Sequence, residues 1–168
     1  SIRTIAQAYH FVDLERGVRR NGRLIAADIR QQMATLRNVA QHEGLSQACL
    51  ERIEKAERVV PKMQATIEFV SGYVHKQVRQ LDLSPPLSYA LHAHLIPSFY
   101  LDRVAQSRTV HAAEPLQKLA ERLRTPLFAP GGALAELSEG HQGQRNQQAK
   151  ELAEVFERSS SNVEGRNG

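Results

Sequence analysis

Few residues of this sequence have the types and spacing to do chemistry. The stretch "ERSSSNVEGRNG", residues 157–168, sets one carboxylate, Glu164, in a serine- and glycine-rich frame. Ser159, Ser160, Ser161 and Asn162 precede it, and Gly165, Arg166, Asn167 and Gly168 follow. Serine and asparagine cap free amides at a helix start, and an acid in the first turn suits the helix dipole. Spacing alone therefore makes Glu164 an exposed acid at the beginning of a helix. A lone carboxylate does chemistry only where other carboxylates converge with it on a divalent metal. The second candidate is "LERGVRRNGRL", which places Arg16, Arg19, Arg20 and Arg23 within eight residues. Such a run is either a solvated turn or a phosphate-contacting loop. Few aromatics lie nearby, so base stacking on it is not supported.

Other chemistries fail on spacing. The seven histidines contain no His-Glu-x-x-His or Cys/His pattern, and His92 and His94, two apart, point to different faces of a helix. His10 and Asp13 are three apart and could share a face, but one pair makes no site. Cys49, the single cysteine, excludes an internal disulfide and lacks a base partner, so it reads as a small packed residue. No Gly-x-Ser-x-Gly frame supports serine catalysis. Gly131-Gly132 is no phosphate loop, because no Gly-Lys-Ser/Thr follows.

The elements that must position these residues are helices. Ile25, Ile29, Met33, Leu36, Val39 and Ala40 recur three or four apart, and Gly44 suits a left-handed helix end. Ser46 is placed to cap the next helix, with Leu45 and Leu50 as a hydrophobic staple. That helix, about 47–81, carries the clearest pattern: Leu50, Ile53, Ala56, Val60, Met63, Ile67, Val70, Val74, Val78 and Leu81 form one apolar seam. Pro61 predicts a kink there or two shorter helices. "DLSPPL" is a break, with Ser84 and Pro85 starting a helix over 86–106 that Pro97 kinks or interrupts. Further helices are expected over about 115–124 and from the 140s to Arg158, the last with Ala149, Leu152, Val155 and Phe156 on one face. Residues 125–134 read as a loop. Gly17 and Asn21-Gly22 mark turns, and a small hairpin around Asn21 is one option. The chain reads as all-α, a helical bundle on a long kinked or broken central helix.

Composition bounds the partners. With 168 residues, 41% hydrophobic and 24% charged, the chain suits one soluble domain. No apolar run approaches the roughly 20 residues of a membrane helix, and no signal segment opens the chain, so a cytoplasmic location is expected. Net charge is +4 and the pI near 9.5, compatible with a nucleic-acid partner. The first residue is Ser1 and the last motif is cut short, so a piece of a longer protein is expected: a helical domain over 1–158, then 159–168 as the start of a truncated catalytic-acid segment.

The motif "RSSSNVEGRNG" resembles the segment around the third acid of bacterial insertion-sequence transposases with an RNase H-like, DDE-type core. The body, with "HEGLSQACLERIEKAERVVPKMQATIEFV" and "LIPSFYLDRVAQ", is similar to the helical region before that acid in an uncharacterised transposase-like group. The resemblance implies two-metal phosphoryl transfer on DNA, with ions, usually Mg²⁺, roughly 3.5–4 Å apart. Glu164 would be the catalytic, metal-binding third acid. Residues 159–162 would shape its turn, and Arg166 would support it or approach DNA phosphates, beside the arginine loop that its own residues make a phosphate-contacting candidate. The family's two aspartates lie on strands, whereas Asp13, Asp28, Asp82 and Asp102 fall on none here. The chain would thus be the helical insertion of the catalytic domain, inactive alone and without a metal of its own. Expected partners are DNA and a homo-oligomer, with no small-molecule substrate. The alternatives are a helical protein-interaction module, or a non-specific DNA-binding bundle without helix-turn-helix signature, neither with a catalytic role.

Overall fold

The computed structural model describes residues 10–44 and 46–164, with side chains as far as Arg158. Its elements are α1 (Gly22–His42), α2 (Gln47–Gln80), α3 (Pro85–Ala90), a π-helical segment (Leu91–Leu95), α4 (Ile96–Gln106), α5 (Val110–Phe128) and α6 (Glu139–Glu164). Among the described residues no strand forms, and one isolated antiparallel bridge joins Val12 and Arg19. The fold is all-α, as the periodicity predicts.

The chain divides into two compact units. The first holds the described part of Ser1–Phe11 together with Arg20–Phe69, and so contains α1 and the first two thirds of α2. Asn21 caps α1 by accepting the Leu24 amide at 2.9 Å. Of the options at Asn21 the hairpin is therefore not the one taken, because asparagine satisfies a free helix amide instead. Gly22 opens α1 where a Cβ would stand 2.8 Å from the Gln64 carbonyl oxygen. Arg30 reaches Gln64 at 3.4 Å and Arg37 reaches Glu57 at 2.5 Å, so the two helices run antiparallel. Ile25, Ala26, Ile29 and Met33 of α1 and Val60, Met63 and Ile67 of α2 are buried. Gly44 takes the expected left-handed turn, at φ 60°. Leu45 of the expected staple lies outside the described residues.

Pro61 does not break α2, which continues from Gln47 to Gln80. It sits on the exposed side, where water can take the carbonyl it leaves unbonded.

The second unit holds Val12–Arg19 and the described part of Val70–Gly168. Its core includes Val74, Val78, Leu91, Leu95, Ile96, Tyr100, Leu101, Leu119, Ala120, Leu134, Ala149, Ala153 and Phe156. α4 packs on α5 and α6, and the π segment touches both. Pro97 lies in the first turn of α4, just past the π segment. Proline cannot donate to the carbonyl four residues back, and the wider π turn lets the helix run on past it. α5 begins before and ends after the expected 115–124, enclosing Pro115 and Pro126. Likewise α6 does not stop at Arg158. It carries 159–164 as helix, so the expected turn before Glu164 is absent and that acid continues a helix instead of starting one.

Candidate nucleic-acid interface

The arginine run divides into spent and open residues. Asp13 Oδ1 accepts the Glu15 and Arg16 amides, both at 2.9 Å, which closes a tight turn. Gly17 follows at φ 72°, and a Cβ on it would meet Leu123 Cδ1 at 2.8 Å. The turn therefore lies against α5.

Arg19, next in the turn, points inward. Its guanidinium donates to His92 Nδ1 at 2.6 Å and stands 5.4 Å from the centre of the Phe156 ring. A guanidinium only donates, so His92 Nδ1 is the acceptor and the ring proton sits on Nε2. That Nε2 is buried without a partner among the described residues. The His75 ring lies 5.1 Å away. Burial lowers the Arg19 pKa from its ordinary value. Burial first, then Arg19 and His75, push His92 down to about 4. Arg20 pairs with Asp28. Two of the four loop cations are thus committed within the fold, while Arg16 and Arg23 are exposed.

At the other candidate, α6 is firmly anchored before it reaches the motif. Ala149, Leu152, Ala153 and Phe156 are buried, and Val155 is half-buried. Arg103 of α4 binds Glu154 at 2.9 Å and also Glu157. Glu164 is the last described residue of this helix, and Arg166 lies outside the described residues. Among the described residues no group of three or more His, Cys, Asp or Glu could hold a metal. No helix there is long and apolar enough to cross a membrane.

Sequence reasoning missed a third cluster. Arg124 of α5 pairs with Asp102 of α4, donates to the buried Ser98 hydroxyl at 3.2 Å and lies 4.4 Å above the Phe99 ring. Four contacting residues spaced along two helices leave no local pattern. His94 is placed edge-on to Tyr89, and Cys49 is half-buried.

The model of a family of unknown function, DUF6399, matches residues 91–168. No curated protein and no solved structure matches the chain. The matched stretch opens at the π segment and takes in α4, α5, α6 and the Glu164 motif.

Proposed function

We propose that this chain is the helical region of a DDE-type transposase, contacting DNA and contributing Glu164 as the third metal-binding acid. The observation that carries the reading is the motif "RSSSNVEGRNG", whose residues as far as Glu164 continue an anchored helix. Glu164 follows a segment of α6 held by four buried apolar residues and by Arg103. Such a helix delivers an acid to a metal pair in a defined place, which two-metal phosphoryl transfer requires. The two aspartates, and the Mg²⁺ they would share with Glu164, come from outside this chain, which is inactive alone. Net charge +4 suits a DNA partner.

Changing Glu164 to glutamine in the complete gene product keeps the shape and removes the charge. Strand cleavage and joining should be abolished, with DNA affinity nearly unchanged. Activity at the parental rate would end the assignment. The second reading is a helical protein-interaction module. It is favoured by the exposed side chains of Phe69, Tyr89 and Val110, at 76%, 66% and 87%. It expects Glu164→Gln to be silent in every assay.

A further inference from the structure

We propose that the outward face of α2 over residues 72–80 is a phosphate-contacting surface for duplex DNA. The inference rests on the DNA-contacting part of the proposed function and moves the main contact away from the arginine loop. Residues 69–81, "FVSGYVHKQVRQL", contain no acid. Gly72, Tyr73, His75, Lys76, Arg79 and Gln80 are all exposed, while Val74 and Val78 between them are fully buried. Steps of three and four place Gly72, His75, Lys76, Arg79 and Gln80 together on one side of the helix.

These five residues line a recess in the second unit. Gly72 leaves open space on this face, since a Cβ there would meet nothing within 4 Å. The glycine is thus not demanded by close packing, and it leaves room for a ligand atom beside the helix. The walls supply an ammonium, a guanidinium, a side-chain amide and an imidazole. Among the described residues neither Lys76 nor Arg79 enters an ion pair.

Two cations about one turn apart, in no ion pair among the described residues, fit neighbouring phosphates of one strand. Exposed Tyr73 adds a ring at the edge for sugar contact. The arginine loop offers less, because Arg19 and Arg20 are already bound within the fold. The nearest acids in sequence, Glu68 and Asp82, lie beyond the two ends of the recess.

The test is fluorescence anisotropy of the full chain with a labelled mixed-sequence DNA duplex, between about 50 and 200 mM salt. Lys76→Ala with Arg79→Ala should weaken binding about 10-fold at the lower salt. It should also reduce the slope of log affinity against log salt by about two, since each phosphate contact contributes roughly 0.9. Lys76→Arg with Arg79→Lys should bind like wild type, which a merely structural role would not predict. Arg16→Ala with Arg23→Ala should have the smaller effect. If the wild-type chain binds DNA and the alanine pair binds equally well, this surface is wrong while the DNA reading stands. If the wild-type chain shows no binding, both fall. Polyglutamate bound as tightly as the duplex would overturn the choice of nucleic acid.

Discussion

His92 couples proton uptake to folding at a single ring. Its pKa is pushed to about 4 from 6.5, chiefly by burial and next by Arg19 and His75. A depressed folded value means that the unfolded chain takes up the proton first. Stability is therefore complete above 6.5 and falls as pH drops from 6.5 towards 4. The ring is half-exposed, so solvent screening limits the loss to about 1–2 kcal/mol. Thermal melts at neutral pH and near pH 5 should show a lower Tm in acid. His92→Asn keeps an acceptor for Arg19 without a titrating ring and should flatten that dependence. An unchanged pH slope in the variant would refute the coupling. Arg124 permits a second test at this scale. Lysine in its place keeps the charge but cannot serve Asp102, Ser98 and the Phe99 face at once. Arg124→Lys should cost about 1–2 kcal/mol in urea denaturation. Neutral stability would show that the fork contributes nothing. Neither cluster was legible in the sequence. Arg19 meets His92 across 73 residues, and no spacing rule distinguishes a buried loop arginine from a solvated one.

At the scale of elements, periodicity served well where partner helices cover a face and less well where they end. The seam on α2 is buried from Val60 to Val78, whereas Leu50 and Ile53 are half-buried and Ala56 is exposed. The antiparallel register accounts for Leu50 alone, because Arg37 stands opposite Glu57 and α1 ends at His42, opposite a point on α2 just past Leu50. The first turn of α2 therefore has little of α1 left to pack on. The proline rule holds in part: α2 is not split at Pro61, while the interruption expected at Pro97 takes the form of the π segment before it. A local rule prices the lost hydrogen bond, but α2 keeps Pro61 on its wet side and the π segment makes room for Pro97. Asn21-Gly22 is ambiguous for a similar reason, since the same dipeptide serves a hairpin or a helix cap, and here it caps α1. Gly22→Ala decides how tight that cap is. Alanine is the better helix former by about 1 kcal/mol, yet its Cβ would press on the Gln64 carbonyl at 2.8 Å. Backbone cannot swing aside, so the variant should lose about 1–3 kcal/mol in chemical denaturation. A gain in stability would mean that α1 and α2 can part at no cost.

For the molecule as a whole, the question is whether Glu164 can act without acids from elsewhere. Divalent ions such as Mg²⁺ take about six oxygen ligands and give up water reluctantly, so one carboxylate holds them poorly. The acids nearest on α6 cannot help, because Glu154 and Glu157 are bound by Arg103. The net charge of +4 further disfavours a bare cation. Calorimetric titration of the chain with Mg²⁺ or Mn²⁺ should therefore give no saturable binding in the micromolar range. Glu164→Gln should leave the titration, the helix content and the melting temperature where they were. Under the proposed function, charge removal matters once two further carboxylates bring metal to Glu164, and there it should be decisive for strand transfer. Tight binding by the wild-type chain, lost in the glutamine variant, would instead place a complete metal site within these 168 residues. The aspartates would then have to be sought among Asp13, Asp28, Asp82 and Asp102, two of which already pair with arginine.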